Sequence, residues 1–492
     1  MTDSLEERDH GARPLWICLV PIVVLIAGLV TNVRLFQDDA SYGGNQLALL
    51  LAAMVAGGIG HFVFKTDYKE IQGRAIRSII LAMEAIIILL IVGALIGLWI
   101  ISGVVPAMVY YGIQMIGPSV FLLVACLVCS VIAVSIGSSW ATMGTVGLAL
   151  IGIGQALGFP LPLVAGAIIS GAYFGDKMSP LSDTTNLAPG VVGSELFTHI
   201  RNMFYTTAPA YALTIIAFAL IGLFYQPGAL DSSETGGIQD VIASEFNVSP
   251  WLLLVPVVVI VLAARRVPAI PSLVIGALIG AGCAIATQPE QLLAEDGSAS
   301  VRAAYMTIIT TAYDGFALET GNEAVDSLLS RGGMISMSNT VLLILMAMLF
   351  GGVMEATGML QRIAQALLGG VRGAGSLIGA TVGTCIMFNI VAAEQYLAIV
   401  VPGRMFRDAF DKQGLDPRNL SRALEDGATV TSVLVPWNTC GAFASGVLGV
   451  STLAYAPYCF FNWLSPIISV FMASMGIALT RKMEEAAVPS AV

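Results

Sequence analysis

The stretch FGDKMSPLSDTTNLAP, Phe174 to Pro189, puts Asp176, Lys177 and Asp183 within one short segment flanked by apolar runs long enough to cross a bilayer. A charged side chain at the bilayer centre costs about 2.5 to 3.5 kcal/mol on insertion scales, so such groups are paired, wetted or used. Pro180 lacks an N–H, so it leaves the carbonyl of Asp176 without its helical donor if the segment is helical on both sides. A broken membrane helix is tolerated where it lines a polar cavity. Asp176, Ser179, Ser182, Asp183, Thr184, Thr185 and Asn186 crowd this break with oxygens. Hard cations take such donors, by analogy with the carboxylate and carbonyl sites of calcium and magnesium.

The rest of the chain supplies the membrane context. Of 492 residues, 57% are hydrophobic and 11% charged, and the mean hydropathy is +0.86. Apolar runs of roughly 18 residues or more recur and read as transmembrane helices. The fold class is therefore an all-α polytopic membrane protein. Met1 to Pro14 is polar, and the run after it ends in no small-residue cleavage site, so a cytoplasmic tail is expected rather than a signal peptide. The net charge of −10 excludes a nucleic-acid surface. The seven cysteines lie in apolar segments, and Cys126 and Cys129 lack the second pair that would complete a metal site; helix packing without a disulfide is expected. GIGQALG (152 to 158) has no strand before it and there is no Walker A sequence, so neither a nucleotide cofactor nor ATP-driven pumping is expected.

The chain repeats itself. WICLVPIVV (16 to 24) returns as WLLLVPVVV (251 to 259), Ser102-Gly103 as Thr357-Gly358, and a fixed offset of 256 aligns Gly171/Gly427, Ala172/Ala428, Pro180/Pro436, Gly190/Gly446 and Gly193/Gly449. The shared order through both halves indicates duplication. Lys65 to Arg77, Arg265-Arg266, Arg404 to Arg422 and Arg481-Lys482 mark cytoplasmic loops, whereas 228 to 250 carries acids without Lys or Arg and is expected outside. Trp16 then opens a helix at the cytoplasmic face and Trp251 its counterpart at the external face. Inverted repeats of this kind place a transport site at the midplane.

The expected division is a tail at 1–14, a first repeat at 15–227, an external acidic linker at 228–250, a second repeat at 251–480 and a tail at 481–492, both termini being cytoplasmic. About 11 to 14 membrane segments are expected. They are 16–34, 46–64, 79–101, 118–137, 138–157, 162–192 and 204–226, then 251–264, 270–287, 339–357, 374–392, 393–410, 423–450 and 453–479. The pairs 118–157 and 374–410 read equally as re-entrant hairpins with tips at GSSWATMGT (137 to 145) and AAEQYLA (392 to 398). The sequence leaves room for a homodimer.

The second half mirrors the opening stretch. Asp426, Thr429, Thr431 and Ser432 precede Pro436, and Asn438 and Thr439 follow it; Pro436 would free the carbonyl of Ser432 in the same way. Glu394 adds a membrane carboxylate opposite Ser138, Ser139 and Thr142. Burial favours the protonated form of a carboxylate and a bound cation the ionised form, so one acid can take a proton and a sodium ion in turn. Asp176, Asp183, Glu394 and Asp426 are the candidates for coupling, with Asp176, Asp183 and Asp426 as sodium ligands. Ser138, Ser139, Thr142, Ser179, Thr184, Thr185, Asn186, Thr431, Asn438 and Thr439 are the candidates for ion or substrate binding. Lys177 reads as well as a counter-ion as a transport residue. Glu84 and Glu355 are each as readily structural partners as site residues and stay outside the set. His61 and His199 read as interfacial.

At these residues the sequence resembles the NhaC family of sodium/proton antiporters, within the broader ion transporter superfamily. The stretches that carry the likeness are GSSWATMGTVG (137 to 147), GAYFGDKMSPLSDTTNLAP (171 to 189), SGVVPAMVYYG (102 to 112), DSLLSRGGMISM (326 to 337), AAEQYLAIVVPGRMF (392 to 406) and VPWNTCGAF (435 to 443). The resemblance implies exchange of sodium for protons in the cell inner membrane, through inverted repeats built of hairpins and interrupted helices. Similar proteins also include exchangers of sodium-lactate for protonated malate. The transported sodium ion and proton are then the partners, with the lipid bilayer, and no resident cofactor is expected.

Two rivals need weighing. Coupled transport of a small organic acid would use the Ser-Asp-Thr-Thr-Asn and Trp-Asn-Thr clusters as hydrogen-bond donors. No arginine sits beside either cluster to clamp a carboxylate, which favours a cation. An intramembrane aspartyl protease would need glycine where Tyr173 stands and a membrane setting for Asp314, which lies in a polar loop.

Overall fold

The structure, a computed structural model, describes residues 13–36, 43–224, 232–293, 298, 300–371 and 373–482. Most of the two expected tails and positions 228–231 of the expected linker lie outside those residues. In the first half, helices run α1 (Leu15–Phe36), α2 (Gly44–Gly58), α3 (Tyr68–Leu81), α4 (Met83–Ile101), α5 (Val104–Met115), α6 (Pro118–Ile136), α7 (Ser139–Thr142), α8 (Leu148–Ala156), α9 (Leu161–Met178), α10 (Asp183–Val192) and α11 (Leu196–Phe224). They continue as α12 (Ser232–Glu245), α13 (Leu254–Ala264), α14 (Ala269–Thr287), α15 (Val301–Asp314), α16 (Glu323–Leu329), α17 (Ser338–Ala356), α18 (Met359–Leu368), α19 (Ala374–Val391), α20 (Gln395–Lys412), α21 (Pro417–Leu424), α22 (Thr439–Leu448), α23 (Thr452–Tyr455) and α24 (Phe460–Ser474).

Among the described residues, eight helical spans are long and apolar enough to cross a bilayer, or ten if each of two sharply bent pairs counts as one span. The 29 residues of α11 alone extend about 43 Å at 1.5 Å per residue. The remaining expected segments are not uniform apolar rods. Segment 138–157 is divided by a π-helical stretch at Met143–Gly147, and 162–192 and 423–450 are broken at their prolines. Breaks of this kind survive in a membrane only where neighbouring groups satisfy the released backbone.

Two sets of helices flank the breaks. In one, α3 and α4 together run antiparallel to α17: Gly352 of α17 meets Ala75 and Ser78 of α3 near one end, and Gly93 O of α4 accepts from Gly333 N, just before α17, at 2.7 Å near the other. In the other, α9 packs on α6 and α24, and α24 packs on α11 and α19. Gly171 and Gly175 set the α6–α9 approach, since a Cβ on Gly175 would lie 2.5 Å from the carbonyl of Ser130. Helices this close need hydrogen in place of a side chain.

Candidate functional site

The two pairs that read as spans or as hairpins each turn at a left-handed residue. Gly137 (φ 78°) ends α6, and a Cβ there would stand 2.6 Å from the backbone of Leu181, inside the α9–α10 break. Ser138 then caps α7, its Oγ accepting from Ala141 N at 3.2 Å. In the second half Ala393 (φ 58°) makes the turn, and Glu394 caps α20 by accepting from Leu397 N at 3.0 Å. Ser138 and Glu394 are 256 residues apart. So are the caps beyond the breaks, Ser182 of α10 and Asn438 of α22, and the left-handed glycines 193 and 449 that close those helices. The offset seen as glycines and prolines in the sequence is thus an offset of helix ends.

These ends converge. Asp176, at the end of α9, accepts hydrogen bonds from Ser139 N at 3.1 Å and Ser139 Oγ at 2.6 Å. Together with Asp183, Glu394, Ser138, Ser139, Thr184 and Thr439 it lines a cavity of about 180 Å³. No lysine or arginine is among the lining residues. Trp140 and Phe443, stacked with ring centroids 4.2 Å apart, join the two halves across one wall. A second cavity of about 500 Å³ adjoins it, shares Ser138 and Asp183, and reaches Asn186 and Arg266.

Other expected residues hold the breaks together. The carbonyl of Asp176 is not left free: it accepts from Ser179 N at 3.2 Å and Thr185 Oγ1 at 3.3 Å, because the helix stops at Met178 and the chain folds back. Ser432 O likewise accepts from Val435 N at 3.3 Å. Ser179 Oγ donates to Val134 O at 2.7 Å, and Asn186 Nδ2 to Ser182 O at 2.7 Å. Thr142 Oγ1 donates to Ser138 O at 2.9 Å. Thr431 and Asn438 are latched by Asn389, at 3.0 and 3.2 Å.

Asp426 sits apart from the cavity lining. It pairs with Lys177, both side chains being fully buried, and also accepts from Ser465 Oγ at 2.7 Å and Thr206 Oγ1 at 3.1 Å. Lys177 Nζ donates as well to Ser465 Oγ at 2.9 Å. Adjacent residues on a helix point about 100° apart. Asp176 therefore faces the cavity while Lys177 reaches the other way, into the second half.

Sequence reasoning passed over several groups. Gln395, Tyr396 and Cys440 line the cavity because they follow the two caps, and Gln395 Oε1 accepts from Ser432 Oγ at 3.0 Å. Glu84 lines both cavities. Glu355, by contrast, pairs with Arg74 at 3.2 Å. Glu425 is fully buried, and its carboxylate oxygens have no hydrogen-bond partner among the described residues. An acid inside an apolar run was the available signal for Glu84, and the dipeptide Glu425-Asp426 for the other.

A sequence profile of the Na+/H+ antiporter family matches residues 171–477. The Na(+)/H(+) antiporter NhaC of Alkalihalophilus pseudofirmus is 37% identical over 470 residues, spanning 94% of this chain and 96% of the relative. The malate-2H(+)/Na(+)-lactate antiporter of Bacillus subtilis is 40% identical over 458 residues, 93% of each chain. The arginine/ornithine antiporter ArcD of Halobacterium salinarum is 37% identical over 488 residues, 98% of this chain and 96% of that one. Similar degrees of identity thus join relatives named for three different cargoes.

Proposed function

The chain belongs to the Na+/H+ antiporter family, and from that premise we propose that it exchanges sodium ions for protons across the cell inner membrane by alternating access. The observation that carries this reading is the cavity itself: Asp176, Asp183 and Glu394 line it, and no lysine or arginine is among its lining residues. A cation is drawn into such a site by the negative field of the three acids. Protons and sodium compete there, because a carboxylate that holds one has lost the charge that attracts the other. Ser139 supports Asp176 as the principal ligand by donating twice to one of its oxygens, which favours the ionised form and fixes its direction.

Alternating access needs a site open to one face and closed to the other. The cavity communicates with the larger vestibule that reaches Arg266, in a loop whose paired arginines favour the cytoplasm. Toward the opposite face, the 311–333 segment lies against α4: a Cβ on Gly97 would stand 2.6 Å from Thr311 O. An inverted pair of repeats would exchange these roles. The recurrence of caps at a spacing of 256 and the antiparallel course of α3 and α4 against α17 support that symmetry.

Exchange of a small organic acid is the second reading, favoured by the 40% identity to the malate/lactate exchanger. The missing arginine clamp argues against it. Purified protein in proteoliposomes, given sodium, lithium or potassium with and without malate or lactate, separates the two. Sodium alone should move protons; an absolute need for an organic acid would overturn the cation reading.

A further inference from the structure

The inner cavity and the vestibule share six lining residues: Glu84, Gly137, Ser138, Ala141, Asp183 and Ala269. These form the neck between them. Two are acids, brought from different elements, α4 and α10. Glu84 lies in the first turn of α4, at the end of the apolar span Met83–Ile101 that follows Arg74 and Arg77 of α3. A carboxylate within a membrane span is tolerated where it faces water or a partner. Glu84 is exposed rather than buried, and no hydrogen bond or ion pair engages it among the described residues. The vestibule beyond it is lined by a single basic side chain, Arg266.

We propose that Glu84 is a specificity-determining relay residue at this neck, which offsets Arg266 and passes a cation between the vestibule and Asp176. The inference rests on the antiporter reading above. Exit and entry on the Arg266 face should then depend on Glu84, whereas traffic through the opposite face should not.

The test is sodium-driven proton flux in proteoliposomes of defined orientation. Wild-type flux comes first, because its absence would refute the antiporter reading and leave the relay without a reaction. With wild-type exchange established, Glu84→Gln should raise the sodium KM about five- to tenfold from the Arg266 face, with kcat preserved, and the rise should shrink at high ionic strength. The KM from the opposite face should stay within twofold. Equal KM values for wild type and variant, or an equal rise from both faces, would overturn the relay. Arg266→Gln reads the same electrostatics in reverse and serves if Glu84→Gln does not reach the membrane: the KM on that face should fall, and an unchanged KM overturns the proposal.

Discussion

Replacing Asp426 by asparagine tests the buried pair that ties the two halves together. Asparagine keeps an oxygen for Ser465 and Thr206, so the change removes charge and leaves most of the hydrogen bonding. Two unit charges 4 Å apart interact by about 1 kcal/mol in water and about 4 kcal/mol at an effective dielectric of 20. With both side chains fully buried, the larger figure applies, and breaking buried pairs one partner at a time costs about 3 to 5 kcal/mol. In chains of 150 to 250 residues each kcal/mol moves Tm by about 2 to 4 °C, and less in longer ones, so a fall of roughly 3 to 8 °C is expected here. Thermal unfolding of the purified protein in detergent micelles measures it. Lys177→Met combined with Asp426→Leu should recover most of the loss, because a well-packed apolar pair replaces a desolvated ionic one at little cost. A stable Asp426→Asn, or a double variant whose loss equals the sum of the singles, would refute the pairing as the reason these residues are buried.

Three further outcomes follow from the geometry. Asp176→Asn should abolish sodium-driven proton flux with Tm nearly unchanged, since Ser139 can still donate to an amide oxygen; flux at the wild-type rate would remove Asp176 from the site. Ser139→Ala takes away a donor 2.6 Å from that carboxylate. Such bonds contribute about 1.5 to 3 kcal/mol, so the sodium KM should rise tenfold or more, most at acid pH where protons compete best; an unchanged KM across pH would exclude this role. Gly171→Ala drives a methyl group into the Cys126 carbonyl of α6. Overpacking against backbone costs about 1 to 3 kcal/mol or more, and the yield of folded protein in membranes should drop; a wild-type yield and Tm would show the helices can part.

The sequence revealed most of this architecture where a local rule leaves a residue-level mark. Pro180 and Pro436 announce the breaks, Gly193 and Gly449 mark the left-handed ends beyond them, and the offset of 256 joins each pair, because backbone geometry restricts residue type at those positions. Ser138 and Ser139 were legible as polar residues stranded in apolar surroundings. The partners of Lys177 and Thr431 were not. Lys177 meets Asp426 across 249 residues and Thr431 meets Asn389 across 42, and such pairings carry no periodicity that a single chain displays. Glu84 was visible as an acid in an apolar run, but only the shape of the cavity distinguishes it from Glu355, which is spent on Arg74.

The same contacts set which parts can move together. α9 is one continuous helix through Asp176 and Lys177, so any displacement of the cavity wall at Asp176 carries Lys177 with it. Lys177 in turn holds Asp426 and Ser465, and those belong to the π-helical segment Glu425–Thr429 and to α24. Rupturing that pair at each turnover would add about 3 to 5 kcal/mol to the barrier. Movement as one body avoids the cost. We therefore expect α9, the 425–429 segment and α24 to shift together against α4 and α17, with the cavity at the boundary. Spin labels on α9 and α24 should keep one separation when sodium is exchanged for protons, while labels on α9 and α17 should show two. A constant α9–α17 separation alongside active exchange would sink the rigid-body account, since the cavity would then be changing its access by side-chain motion alone.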